Sequence, residues 1–287
     1  MKKPLLWLLI VVSTQACKIA DLRTPSISRK MPDREEKALL LLENVISTNH
    51  LQKLAAAGTY SLEASDNWKG LLAVMNPLPK DNTAMELRFR PNSFDGQFQY
   101  SGRKKKIVHG VHSMQYYKIK KDSSIVLRRK KKVVFSLPAI QYFFELPLRL
   151  RNAPILKHAG TTTIEGRNYD LVFATWKQPE PHKENDQYLL YIDKEMGQLD
   201  FANYTVRGLY LPAPGSIYGS IRFSDRKMNE DGITYPGMLT IQFNQLKKEE
   251  SFAHRISITQ LTLNSFPLEG LYPLEGLEYL GDEKRGH

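Results

Sequence analysis

After Gly58 the sequence settles into short runs in which apolar and polar residues alternate. They are Thr59 to Ala64, Lys69 to Met75, Ala84 to Arg90, Phe94 to Tyr100, Met114 to Lys120 and Ser124 to Phe135, then Thr161 to Ile164, Asn168 to Trp176, Gln187 to Asp193, Leu199 to Arg207, Ser216 to Phe223, Tyr235 to Phe243 and Arg255 to Leu263. A period of two marks strands with one buried face, and the Asn-Pro, Pro-Asn, Asp-Gly, Ser-Gly and Lys-Asp-Ser-Ser breaks between the earlier runs are turn formers. Strands joined by such short connections pair with their sequence neighbours in the antiparallel sense. The chain is thereby constrained to an antiparallel meander.

Two stretches depart from that period. Asp33-Arg-Glu-Glu36 has acids in a first helical turn with Glu36 at the capping-box position, and Leu39, Leu42, Val45, Ile46 and Leu54 follow at helical spacing up to Gly58. Leu137 to Arg151 interrupts the strand series with an apolar run, in which Pro138 suits a first helical turn and Pro147 ends or kinks the element. A leading helix, an inserted short helix and about a dozen strands make an α+β domain. The polar stretch Gln178 to Asp186 is only loop length, so a single domain over 33–287 is expected.

The first residues read Met-Lys-Lys, then the apolar run Pro4 to Val12, then Ser13-Thr-Gln-Ala-Cys17, the order of an export signal. The run is shorter than the ~20 apolar residues that span a bilayer. Cys17 is the single cysteine of the 287 residues, so no intrachain disulfide, CxxC pair or cysteine-based zinc site can form. Its place directly after a small alanine resembles a bacterial lipoprotein signal, which implies residues 1–16 as leader, Cys17 as the lipidated first residue and 17–32 as a tether. Thr14 and Gln15 depart from the usual lipobox, and a conventional leader with an idle thiol is the alternative. Several acyl chains on one cysteine hold a soluble domain to a membrane more firmly than one chain does. Lys18, with no acidic run after it, implies the periplasmic side of the outer membrane.

Lysine and arginine outnumber aspartate and glutamate 41 to 30, and loss of Lys2 and Lys3 with the leader takes the excess from +11 to +9. The basic runs Arg103 to Lys106 and Arg128 to Lys132 adjoin strands and lie in no nucleic-acid motif, so they read as solvated sheet edges or as contacts to anionic headgroups. No nucleic-acid partner is expected. His109 and His112, three apart on a strand, face opposite ways unless Gly110 bulges, and two imidazoles fall short of a zinc site. His182 with Glu184, and Glu184 with Asp186, are the other suggestive polar groups; surface side chains are the default for them. The sequence contains no Walker loop, nucleophile elbow, His-Glu-x-x-His or Gly-x-Gly-x-x-Gly motif. No catalytic residue, metal or cofactor is assigned.

The strands themselves are the remaining signal. Tyr169, Leu171 and Phe173 make one apolar face, and in Tyr188-Leu-Leu190-Tyr-Ile192 both faces are apolar, with Phe201 and Tyr204 continuing the aromatic supply. Such strands suit a sheet curved around a helix, a ligand cavity or both, and ordinary core packing is the alternative. These eight residues are the candidate hydrophobic-ligand positions.

The order of lipidated cysteine, leading helix, long meander, inserted apolar helix and further meander resembles the lipoprotein-carrier superfamily of LolA, LolB and LppX. The segment Asp186 to Arg207, with a strand ending in Ile192-Asp193, a turn through Gly197 and a return strand, is similar to a hairpin of that superfamily. Together with Tyr142 to Leu150 and Gly166 to Asp170, it resembles more closely a family of Bacteroidetes lipoproteins. The resemblance implies a half-barrel of about eleven to twelve strands with both helices on its concave face. It also implies a non-enzymatic, membrane-anchored binding or carrier protein for a lipid, acyl or other hydrophobic ligand. A structural subunit bound to an envelope protein partner is the first rival reading, and an envelope hydrolase with scattered residues the second. A concave face plugged by the chain's own side chains would count against the carrier reading.

Overall fold

The structure is a computed structural model that describes residues 19–27, 34–70, 73, 83–101, 107–127, 131–207, 215–244 and 251–273. Expectations for residues 1–16, Cys17, Asp33, the run Arg103 to Lys106, Arg128 to Lys130 and most of Lys69 to Met75 fall outside these residues.

Thirteen strands form one antiparallel sheet. In chain order they are β1 (Tyr60–Trp68), β2 (Met85–Phe89), β3 (Gly96–Tyr100), β4 (Val108–His112), β5 (Gln115–Ile119), β6 (Ile125–Leu127), β7 (Ile155–Ile164), β8 (Arg167–Thr175), β9 (Gln187–Asp193), β10 (Leu199–Thr205), β11 (Tyr218–Met228), β12 (Thr234–Phe243) and β13 (His254–Leu263). Their order across the sheet is β6-β5-β4-β3-β2-β1-β13-β12-β11-β10-β9-β8-β7. Every neighbour but one is also a neighbour in sequence, and the exception is β1 beside β13, where the two ends of the meander meet. The sheet is therefore a ring of consecutive hairpins opened at one place, between β6 and β7. Residues 131–150 of the chain between those two edges are helical, and among the described residues no thirteenth strand pair closes the sheet.

Four helices lie on one face, called here the inner face: α1 (Arg34–Thr48), α2 (Leu51–Ala56), α3 (Lys131–Phe144) and α4 (Leu146–Leu150). Leu42, Val45, Leu54, Leu137, Ile140 and Phe144 pack there against Leu62, Leu87, Val172, Leu190, Ile221 and Ile256 in one continuous core. The α+β half-barrel with helices in its concavity is the architecture expected.

The details differ in three places. The sheet has thirteen strands rather than eleven to twelve, β4 being additional to the expected runs. The leading helix is broken, because Asn49 and His50 form a turn in which His50 takes a left-handed φ of 54°. The run from Ser124 to Phe135 is strand only as far as Leu127, and α3 starts at Lys131, so Pro138 sits inside the helix rather than in its first turn. Val133-Val134-Phe135 is β-branched and aromatic by composition, yet the core takes it as helix, because tertiary burial overrides weak local propensity. Pro147 acts as expected, at the start of α4, where its missing N–H costs nothing.

Candidate functional site

Pairing fixes which side of the sheet each candidate residue occupies. Along β8 the even residues Val172 and Ala174 belong to the inner core, so Tyr169, Leu171 and Phe173 point outward. In β9 and β10 the register pairs Tyr188 with Tyr204 and Tyr191 with Phe201, which puts Tyr188, Leu190, Ile192 and Tyr204 inside and Phe201 outside. The eight candidates thus form two groups of four on opposite faces. Alternation alone identifies two faces and cannot say which one the helices cover.

The inner group joins a chain of rings. Trp176 meets Tyr188 edge-on at 6.0 Å, Tyr188 stacks on Tyr204 at 6.4 Å, and α3 adds Tyr142 to Tyr188 at 5.9 Å and Phe143 to Tyr204 at 4.6 Å. Tyr204 lies flat over Gly219 on the next strand, where a Cβ would come within 2.3 Å of the tyrosine ring. Burial raises the Tyr204 hydroxyl far above the usual phenol range, with the Asp186 charge adding to the shift. Each of the four inner candidates is less than a tenth exposed, because the helices already fill the face.

α3 is the unusual cover. Between Val133 and Phe144 it carries no charge, and a helix that is apolar all round is expected to be enclosed. Here Val134, Phe135, Ala139 and Tyr142 are only half-buried. The turn between α3 and α4, by contrast, is firmly tied. Glu145 receives hydrogen bonds from the Tyr60 hydroxyl at 2.8 Å, the Asn92 amide at 3.0 Å and the Gln141 side chain at 3.0 Å, and pairs with Arg149 at 2.7 Å. Both partners of that ion pair are buried. Burial, then the Glu145 charge, drives the Tyr60 hydroxyl well above its ordinary value.

The outer group has covers of its own. Residues 19–27, expected as part of a tether, lie across the outer face as a strap: Leu22 and Ile27 pack on Leu171, Phe173 and Leu189. The Leu22 amide donates to the Gln187 side chain at 2.9 Å, Thr24 donates to the Ala159 carbonyl at 2.6 Å, and the Arg207 guanidinium donates to the carbonyls of Ala20 and Gly215. Tyr169 and Phe201 line a shallow outer pocket of about 190 Å³. Its arginines are matched by acids: Arg167 with Asp193 and Asp200, Arg226 with Asp200, Arg222 with Glu165. Burial pushes the Tyr169 hydroxyl up to about 12, with the Asp200 charge second. On the other half of the outer face, Tyr117 donates to the Leu271 carbonyl at 3.1 Å, under the C-terminal turn Leu268–Leu271.

The remaining polar candidates do not converge. His109 is on the inner face, stacked on Phe98 and hydrogen-bonded to Tyr116, whereas His112 packs against Tyr272. His182 accepts the Glu184 amide within its own loop. Among the described residues no three His, Cys, Asp or Glu side chains are grouped as metal ligands would be. Two His–Asp pairs that the sequence did not single out are present, His158 with Asp170 and Lys37, and His254 with Asp66. Each pair joins residues of different strands or helices and leaves no local spacing by which to find it. Burial alone would raise the Asp170 carboxyl, but hydrogen bonds from His158 and Lys37 outweigh it and hold it below the usual range.

No protein-family model matches the chain, and no curated protein matches it in sequence. Among solved structures, a DUF1329 family protein from Desulfovibrio piger covers 86% of this chain and all of its own, at 12% identity and a TM-score of 0.50. This chain shares its fold. A LolA superfamily protein from Nitrosomonas europaea aligns over 82% of this chain and 96% of its own, at 9% identity and a TM-score of 0.48. At 12% identity the likeness to the Desulfovibrio piger protein is one of architecture.

Proposed function

We propose that the chain is a lipid-anchored, non-enzymatic binding protein of the cell envelope that takes an acyl chain or another hydrophobic ligand between the inner face and α3. The outer membrane, facing the periplasm, is its proposed address, reached through Cys17. The observation that carries this reading is α3: a helix without charge from Val133 to Phe144, four of those residues only half-buried, interleaving Tyr142 and Phe143 with the ring chain Trp176, Tyr188 and Tyr204. The inner face is plugged by the chain's own side chains, which counts against a preformed cavity, so the carrier reading requires α3 to move aside and open the space an alkyl chain would need. Each alkyl area transferred contributes ~25 cal/mol per Å². Of the eight candidates, Tyr188, Leu190, Ile192 and Tyr204 are the ligand positions under this reading, and Tyr169, Leu171, Phe173 and Phe201 serve the outer face. Native mass spectrometry of the mature protein, before and after denaturing extraction, tests it. A lipid at near-stoichiometric yield is expected; an empty, folded chain would overturn the carrier reading.

A second reading has its own observation. The inner face is filled, and the edge strand β6 leaves Ile125 and Leu127 exposed on an edge unpaired among the described residues, a template for strand addition by an envelope protein. A stoichiometric partner in a pull-down that is lost on replacing Val126 by proline would favour it.

A further inference from the structure

The strap fixes where the anchor leaves the domain. Antiparallel pairing gives the half-barrel two rims: one carries the ends of β1, β8, β10 and β12, the other the turns β7–β8, β9–β10 and β11–β12. The Ala20 amide donates to the Gly215 carbonyl, just before β11, and Ile19 is the nearest strap residue beyond it. Cys17 precedes Ile19 by two residues in the sequence, a stretch of chain that reaches at most ~7 Å.

The same rim holds the two tryptophans that remain once Trp7 goes with the leader. Trp68 ends β1 and Trp176 follows β8, and both are half-buried. Phe252, just before β13, lies beside Trp68, five strands along the rim from Trp176; it is half-buried under the cations of Lys69 and Arg255, at 4.2 and 4.0 Å from the ring centre. Lys69, Lys177 and Lys183 are exposed there, together with Glu180, which pairs with Arg23, and Glu184. The three turns of the opposite rim carry Glu165, Glu195, Glu230 and Asp231 against Lys194, with Arg222 paired to Glu165 and Lys53 donating to the Asp231 carbonyl. Tryptophan flanked by lysine suits a headgroup layer, and acids are repelled by anionic lipid.

We propose that the domain stands on the bilayer on the rim of Trp68, Trp176 and Phe252, with the acidic turns pointing away from it. This rests on lipidation of Cys17. It also deepens the ligand reading, because Trp176, Tyr188 and Tyr204 end the inner face at this rim, so an acyl chain would pass between bilayer and inner face without crossing water.

The test uses the full chain, produced with its leader and purified in its acylated form. It is reconstituted in vesicles of phosphatidylethanolamine and phosphatidylglycerol, with and without bromine on the acyl chains. Both native tryptophans report on the proposed contact, so no variant is needed for the main reading. Their emission should fall on brominated vesicles, and a chain with Trp68→Phe, Trp176→Phe and Met196→Trp, whose reporter sits on the opposite rim, should keep its emission. Acylated protein that floats with the vesicles but shows unquenched native tryptophans would overturn the orientation and leave the anchor intact. A chain whose N-terminal peptide carries no acyl mass overturns the anchor, and the proposal with it.

Discussion

At the scale of single residues, the buried charges are the decisive sites. Glu145 and Arg149 hold the α3–α4 turn against Tyr60 and Asn92, and removal of one partner strands the other without water. Glu145→Ala should therefore destabilise the fold by ~3–5 kcal/mol in urea titration, far more than a typical surface substitution. Asp170 predicts a pH effect of definite sign. Its carboxyl is held below the ordinary 3.8, so the folded chain takes up that proton at lower pH than the unfolded one. The stabilisation is complete above the unfolded value and is lost as pH falls through the folded one. Asp170→Asn should be less stable than the parent at neutral pH, and the gap should close on acidification below about pH 4. Tyr204 over Gly219 predicts a steric effect. Gly219→Ala should cost ~1–3 kcal/mol, because the new methyl meets the ring of a fully packed tyrosine.

Among the elements, the strap and α3 behave differently. The strap is bound to the outer face by Leu22, Ile27 and the Arg207 hydrogen bonds. Loss of the charged donor in Arg207→Met should raise amide exchange across residues 20–27 by roughly tenfold. It would leave the inner core, on the other side of the sheet, unaffected. For α3 the expectation is tied to ligand. If a bound lipid displaces it, the amides of residues 133–144 should exchange faster in the loaded protein than in the empty one, and the opposite result would place the ligand elsewhere.

For the whole molecule, the topology makes the opening between β6 and β7 the place where the sheet could close and does not. Everything that distinguishes this domain from a closed barrel lies in the helical connection between those edges. The two faces consequently have separate roles, the inner one packed by helices and the outer one strapped by chain-terminal segments.

The meander, the two helical interruptions and the break at Pro147 were legible in the sequence, because turn formers and a period of two act over a few residues and need no partner. Apolar strands in β8 and β9 were legible too. Which of their faces met the helices was not: that depends on register between strands and on which side α1 and α3 lie, and a strand with two apolar faces reads the same from either side. The same limit applies to Val133 to Phe135, where a strand-like composition became helix only because a core was waiting for it. The pairing of β1 with β13, the strap against Leu171 and Phe173, and the His–Asp pairs join residues far apart in the chain. Local chemistry determined the elements of this protein, and long-range packing decided what each of them covers.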